Sequence, residues 1–222
     1  MNFKNTLKTT ISKLYHNYFA PLFGAKLKVF KRHQSYESYV LKQKHKTLDS
    51  KRIKKWLGEE WEVKLDGFRK LFSRNEIFVK SASKCICLGA RTGQEVAALR
   101  ELGKDAIGID LVEFPPLTII GDVHNLDYKE GTFDLVFTNI FDHSMYPSKF
   151  VKEMERVCLS GGHVIINLQL NTPGDDYSEN IIYDPNEVVK MFEKSELIES
   201  RKISNSFDEM NWELVLKKVN SK

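Results

Sequence analysis

Apolar positions along this chain change rhythm near residue 84. Over residues 3–19, Phe3, Leu7, Ile11, Leu14 and Tyr18 recur every three to four positions, the period of one helical face. Lys4, Lys8 and Lys13 lie off that stripe, and Pro21 and Gly24 interrupt it. Residues 36–72 also read as helical, with Trp56, Leu57 and Trp61 on one apolar face and Leu65, Phe68, Leu71 and Phe72 continuing the spacing. Beyond that point short apolar runs alternate with helical stretches. CICL (85–88), AIGIDL (106–111), TIIGD (118–122), FDLVFTN (133–139), HVIINLQL (163–170), LIESRKI (197–203) and WELVLKK (212–218) predict strands. Residues 93–102, 147–157 and 185–195 predict helices, the second with Phe150, Val151, Met154 and Val157 on one stripe. Strands alternating with helices predict an α/β fold, a doubly wound and mostly parallel sheet. Only a loop joins the last two strands, so one of them is expected to run antiparallel. The expected organisation is a basic helical extension, residues 1–75, followed by a Rossmann-like domain, residues 76–222.

Composition narrows the class. The chain has 222 residues, 41% hydrophobic and 29% charged, the balance of a globular protein. No apolar run approaches the roughly 20 residues of a membrane span, and the N-terminus lacks a signal-peptide core. Cys85 and Cys87, two apart in an apolar run, point to one face of a strand, and Cys158 makes the count odd. They read as reduced packing residues, because no further Cys/His pair completes a zinc site. The expected setting is cytoplasmic, at most peripheral to a membrane.

Charge is divided unevenly. Residues 1–56 carry 14 Lys/Arg against only Glu37 and Asp49, a net of +12, whereas the remainder carries 20 Lys/Arg against 28 Asp/Glu, a net of −8. Three readings of the basic arm follow: a helix packed on the main domain with a solvated face, an anionic membrane surface, or nucleic acid. The lack of Arg before Arg32 counts against an organelle presequence.

The segment CICLGARTGQEV (85–96) joins a strand to a helix through a glycine loop. Gly89 and Gly93 permit a sharp turn and close approach of a ligand. Thr92 and Glu95 have the spacing of a helix-starting capping box. Asp110 ends the next strand, 21 residues after Gly89, where a carboxylate is placed to accept from a ribose diol. Asp122 ends the third strand and Asn139 the fourth. All four positions fall at the carboxyl ends of strands, where open parallel sheets bind ligands.

These pieces together resemble the class I S-adenosylmethionine-dependent methyltransferases of the broad small-molecule type. CLGARTG resembles the family's first motif and GIDL its acidic follow-up. GDVHNLDYKEGTFDLVFTN resembles the third-strand acid leading into the fourth strand, and FVKEMERVCLSGGHVIINL the helix, turn and fifth strand. The resemblance implies a seven-stranded sheet of order 3-2-1-4-5-7-6 with strand 7 antiparallel. It also implies S-adenosyl-L-methionine as cofactor, held by Gly89, Ala90, Arg91, Gly93, Asp110, Leu111, Asp122, Val123 and Asn139. Three positions depart from the pattern: Cys87 replaces an acid, Arg91 a glycine and Ser160 a proline. A nicotinamide dehydrogenase would instead want G-x-G-x-x-G.

In the resembled fold the loop Asn139–Pro147 faces the methyl group. His143 is the preferred general base, since an imidazole titrating near about 6.5 suits neutral pH. Asp142 is a candidate for holding a substrate hydroxyl, and Tyr146 for lining the pocket. The plain alternatives are a solvated loop histidine and an aspartate capping the 147–157 helix. His124 falls beside the adenine, while Asp175 and Asp176 lie in a long loop after the fifth strand. No metal-ligand spacing is present. The expected function is methyl transfer to a small-molecule or glycan hydroxyl. The alternatives are an inactive cofactor-binding scaffold, or a methyltransferase acting on RNA or protein.

Overall fold

Alternation within single strands sorts the core into two layers. The computed structural model describes residues 10–12, 14–30, 32–204 and 209–219. In β2 (Lys84–Leu88), Cys85 and Cys87 turn to one face and Ile86 and Leu88 to the other. The same division runs through β5 (Phe133–Thr138), β6 (Cys158–Leu168) and β9 (Trp212–Lys218). Both faces are apolar because helices cover both. With β3 (Asp105–Asp110), β4 (Thr118–Ile120) and β8 (Ser195–Lys202), the strands order as β4-β3-β2-β5-β6-β9-β8. Counted within the sheet this is 3-2-1-4-5-7-6. β9 runs antiparallel to both neighbours, β6 and β8, as the loop-only connection required.

Before the sheet come α1 (Ala20–Leu22), α2 (Tyr36–Leu48), α3 (Ser50–Leu57), α4 (Trp61–Arg74) and α5 (Glu76–Lys80). The predicted helical stretch 36–72 is thus broken twice. Asp49 caps α3 through the N–H of Arg52, and Gly58 ends it. α4 is not peripheral. Its Leu65, Phe68, Leu71 and Phe72 join Cys85, Cys87, Leu135 and Phe137 in one cluster, with the Phe72 and Phe137 rings edge to face at 5.4 Å. Each such burial is worth roughly 1.5–3 kcal/mol, so α4 shares the core of the sheet although it precedes residue 75. Fully buried Glu213 of β9 ties this region down. It accepts from Arg74 at 2.9 Å, Asn75 at 3.1 Å and Arg201 at 2.6 Å.

α6 (Gln94–Glu101) lies on the same face as α4, and α7 (Pro147–Val157) and α8 (Asn186–Val189) on the other. α8 is much shorter than the predicted 185–195 helix. The Glu155 carboxylate accepts from the N–H groups of Glu193 and Lys194 and from the Ser195 hydroxyl, which pulls the chain into β8. The capping box at Thr92 does not form: Gly93 is the cap in a left-handed conformation, and Thr92 donates to Gln94 instead. β1 (Leu27–Val29) and β7 (Asn180–Ile182) form a separate antiparallel pair that sequence pattern did not predict.

The first part of the helix predicted over residues 3–19, with Phe3, Lys4, Leu7 and Lys8, lies outside the described residues, as does Lys13. The described part continues through Pro21, which has no N–H to donate. The preceding turn, Tyr15–Phe19, is widened, and the Ala20 N–H donates to the Tyr15 carbonyl five residues back. Among the described residues no helix is long and apolar enough to cross a membrane.

Candidate cofactor and acceptor site

The loop after β2 is shaped by what crowds it. Gly89 has φ +76°, and a Cβ there would lie 2.4 Å from Ile140 Cγ1. Gly93, at φ +86°, would meet Leu117 Cβ at 2.6 Å. Arg91 also has a left-handed backbone, at φ +47°. Its N–H donates to Asp110 Oδ2 at 2.9 Å, and the Thr118 hydroxyl donates to its carbonyl. Its guanidinium lies over the Trp56 ring, 4.3 Å from the centroid. Asp110 Oδ1 accepts from the Val112 N–H at 3.2 Å. Burial pushes the Asp110 carboxyl up, against those two backbone donors. One lone pair per oxygen fixes the carboxylate, and the others remain for a ligand.

A cleft runs along these strand ends in two parts. One, of about 580 Å³, is lined by Tyr39, Gln43, Lys46 and Thr47 of α2 and by Asp110, Leu111, Asp122 and Val123. The other, of about 820 Å³, is lined by Glu60 and Lys64 beside Ala90, Glu95, Asn139 and Met210. Gly89, Arg91, Ile140 and His143 line both. The structure therefore brings Gly89, Ala90, Arg91, Asp110, Leu111, Asp122, Val123, Asn139 and His143 to one cleft. Gly93 lies behind it, setting the start of α6.

Asp122 is engaged from above. The Tyr36 hydroxyl donates to it at 2.6 Å and the His124 N–H at 2.8 Å. Burial alone would raise this carboxyl, but those bonds outweigh it and hold it at about 2. His124 is buried, with Nε2 2.8 Å from the Ser144 hydroxyl, and Tyr146 stacks on Tyr36.

His143 has a defined tautomer. Nδ1 lies 3.0 Å from the Tyr177 carbonyl, which only accepts, so Nδ1 carries the proton. Nε2 then presents its lone pair, 3.2 Å from Lys46 Nζ. Burial pushes Lys46 down to about 8, although Asp175 at 3.5 Å opposes this. Asp142 behaves otherwise than its sequence position suggested. It is buried, accepts from the Ser178 hydroxyl at 3.0 Å, and lines neither part of the cleft.

Cys87 sits wholly inside the core, and burial raises its thiol far above the ordinary range. It is a neutral packing group. Glu95, in the first turn of α6, does reach the cleft beside Ala90 and Arg91, and burial pushes its carboxyl up to about 8. Sequence reasoning missed Glu95 as a site residue, along with Tyr36, Tyr39, Lys46 and Lys64. The capping-box spacing offered a competing use for Glu95, and the others belong to helices with no motif.

The segment that supplies the loop, both strand-end acids and the strand carrying Asn139 also matches a known family model, described as a methyltransferase domain, over residues 86–166. Residues 86–166 are thus similar to a methyltransferase domain, and the sheet has the strand order that the resemblance to class I S-adenosylmethionine-dependent methyltransferases implied. Over 72 residues the chain is 36% identical to norajmaline N-methyltransferase of Rauvolfia serpentina; they are 32% of this chain and 25% of that protein. The chain thus spans about a quarter of that curated relative. Among solved structures, the chain is similar to the 1,6-didemethyltoxoflavin-N1-methyltransferase of Burkholderia thailandensis, which holds 1,6-didemethyltoxoflavin and S-adenosylhomocysteine. That match has TM-score 0.62 at 12% identity and covers 87% of this chain and 95% of that one. A SAM-dependent methyltransferase of Methanosarcina mazei matches with TM-score 0.55 at 13% identity, covering 67% and 98%. At such identities the likeness is one of fold.

Proposed function

We propose that the protein transfers a methyl group from S-adenosyl-L-methionine to a small-molecule or glycan hydroxyl. The observation that carries this is the meeting of the β2 loop and the β5 loop in one cleft, with Gly89, Arg91, Ile140 and His143 lining both parts. Asp110 receives the ribose diol, and Leu111, Asp122 and Val123 line the nucleoside end. In the other part, Arg91 and Lys64 meet the carboxylate of the methionine end and Glu95 its ammonium. A guanidinium fork suits that carboxylate, and Glu95 takes the place of the missing acid at Cys87. When bound, the cofactor supplies an electrophilic methyl on a sulfonium. The protein's own residues align the acceptor and remove its proton. His143 Nε2 takes that proton once the acceptor hydroxyl displaces Lys46 from it, while the Tyr177 carbonyl holds the ring. α2 closes the acceptor side.

Calorimetric titration with S-adenosylmethionine and S-adenosylhomocysteine tests the cofactor, and absence of saturable binding to either overturns the reading. Asp110→Ala should weaken binding by about 10–100-fold, the value of hydrogen bonds to a charged group. His143→Gln should lower turnover by about 10²–10⁴-fold with cofactor affinity retained. Undiminished turnover removes His143 as the base. A second reading is a nitrogen acceptor, favoured because both relatives named for their acceptor chemistry are N-methyltransferases. Mass spectrometry of the methylated product distinguishes the two.

A further inference from the structure

The N-terminal helix is attached by the wrong face for an ordinary packed helix. Ile11, Leu14, Tyr15, Tyr18, Phe19, Leu22 and Phe23 recur every three to four residues, and every one is exposed. Leu22 and Phe23 are 80% and 81% exposed. Among the described residues, the small Ala20 and the polar His16 join the helix to the domain. Ala20 packs against Ile181 and Tyr183, and His16 Nδ1 lies 2.7 Å from the Tyr183 hydroxyl. In a globular protein the stripe with this period is the one buried. Here it is presented outward, and the exposed cations Lys26 and Lys28 follow it in the chain. No acid precedes Glu37 in the whole chain, and residues 1–56 carry a net of +12.

We propose that this face docks the protein on an anionic lipid bilayer, the helix lying in the headgroup layer with its apolar stripe inserted. Two properties of the surface select that partner. Aliphatic side chains such as Ile11, Leu14 and Leu22 gain from hydrocarbon, whereas a nucleic acid offers only stacking to aromatics and charge to lysines. The surrounding cations match anionic headgroups, each worth about 1 kcal/mol near such a surface. A second copy of the chain would bring the same strong positive charge to the interface. β1 follows the helix directly and pairs with β7, whose preceding loop supplies the Tyr177 carbonyl to His143. The docked helix is thus joined through β1 and β7 to the loop that holds His143. The proposal does not depend on the transfer chemistry.

The test is co-sedimentation of the full chain with phosphatidylcholine vesicles and with mixed phosphatidylcholine–phosphatidylglycerol vesicles at low and high salt. Retention is expected on the mixed vesicles and should weaken with salt. Leu22→Ser/Phe23→Ser should reduce it by at least about tenfold, with circular dichroism and Tm unchanged, because both residues are exposed. Ile11→Ser/Leu14→Ser gives an independent second pair. The proposal is overturned if mixed vesicles do not retain the protein, or if neither pair lowers retention. It is also overturned if the apolar pairs abolish a dimer seen by sedimentation velocity, or retention on RNA, instead of vesicle binding.

Discussion

Arg91 is where the local cost of the site is concentrated. A left-handed backbone at a residue with a Cβ costs about 1–2 kcal/mol. Three contacts offset it: the N–H to Asp110, the carbonyl from Thr118 and the guanidinium over Trp56. Neighbouring Glu95 stores a different cost, that of burying a carboxylate. Its folded pKa of about 8 lies above the ordinary 4.5. A raised carboxyl contributes stability that is fully present below the unfolded value and is lost as pH rises through the folded one. In the ligand-free protein, the Tm of Glu95→Gln relative to the parent should therefore climb between about pH 4.5 and 8 and then level off. Calorimetric scans across that range measure it, and a flat difference means the carboxyl titrates normally. Gly89, Asp110 and Asp122 were legible because glycine loops and strand-end acids have fixed spacing. Glu95 and Lys46 were not, since their roles arise from burial depth that only packing decides.

At the scale of elements, α2 acts as a fastened cover. Tyr36 reaches Asp122, the Tyr39 hydroxyl donates to the His143 carbonyl, and Gln43 donates to the Tyr177 carbonyl. The Tyr36 bond runs to a charged acceptor and is worth about 1.5–3 kcal/mol. Burial and Asp122 together push the Tyr36 phenol upward, so it stays a donor throughout the physiological range. Tyr36→Phe should accelerate amide hydrogen exchange across Tyr36–Leu48 while β2 and β5 stay protected. Equal exchange in both proteins would show that the latch carries no weight. The sheet strands were readable from their apolar runs. β1 and β7 were not, because three residues cannot display a period and the partners are far apart in sequence. The end of α8 was unreadable for a related reason: the Glu155 carboxylate that stops it comes from α7.

Across the whole molecule, sheet order follows from the succession of strands and helices, and the charge division is visible in composition alone. Where the domain begins is not. The core takes in α4, because Leu65, Phe68, Leu71 and Phe72 fill the space behind β2 that a helix preceding the first sheet strand can reach. The link from Arg74 and Asn75 to Glu213 has a consequence for the order of assembly. Glu213 lies in β9, 138 residues after Asn75, and β9 separates β6 from β8. During synthesis the nascent chain can build β2 through β6, but its N-terminal helices lack their last anchor. They gain it only when β9 has been made and pairs with β6. Long-range pairings of this kind form late and slowly. A ribosome stalled before residue 212 would therefore hold a five-stranded sheet with the β6 edge open and β8 without its partner, the state most in need of a chaperone.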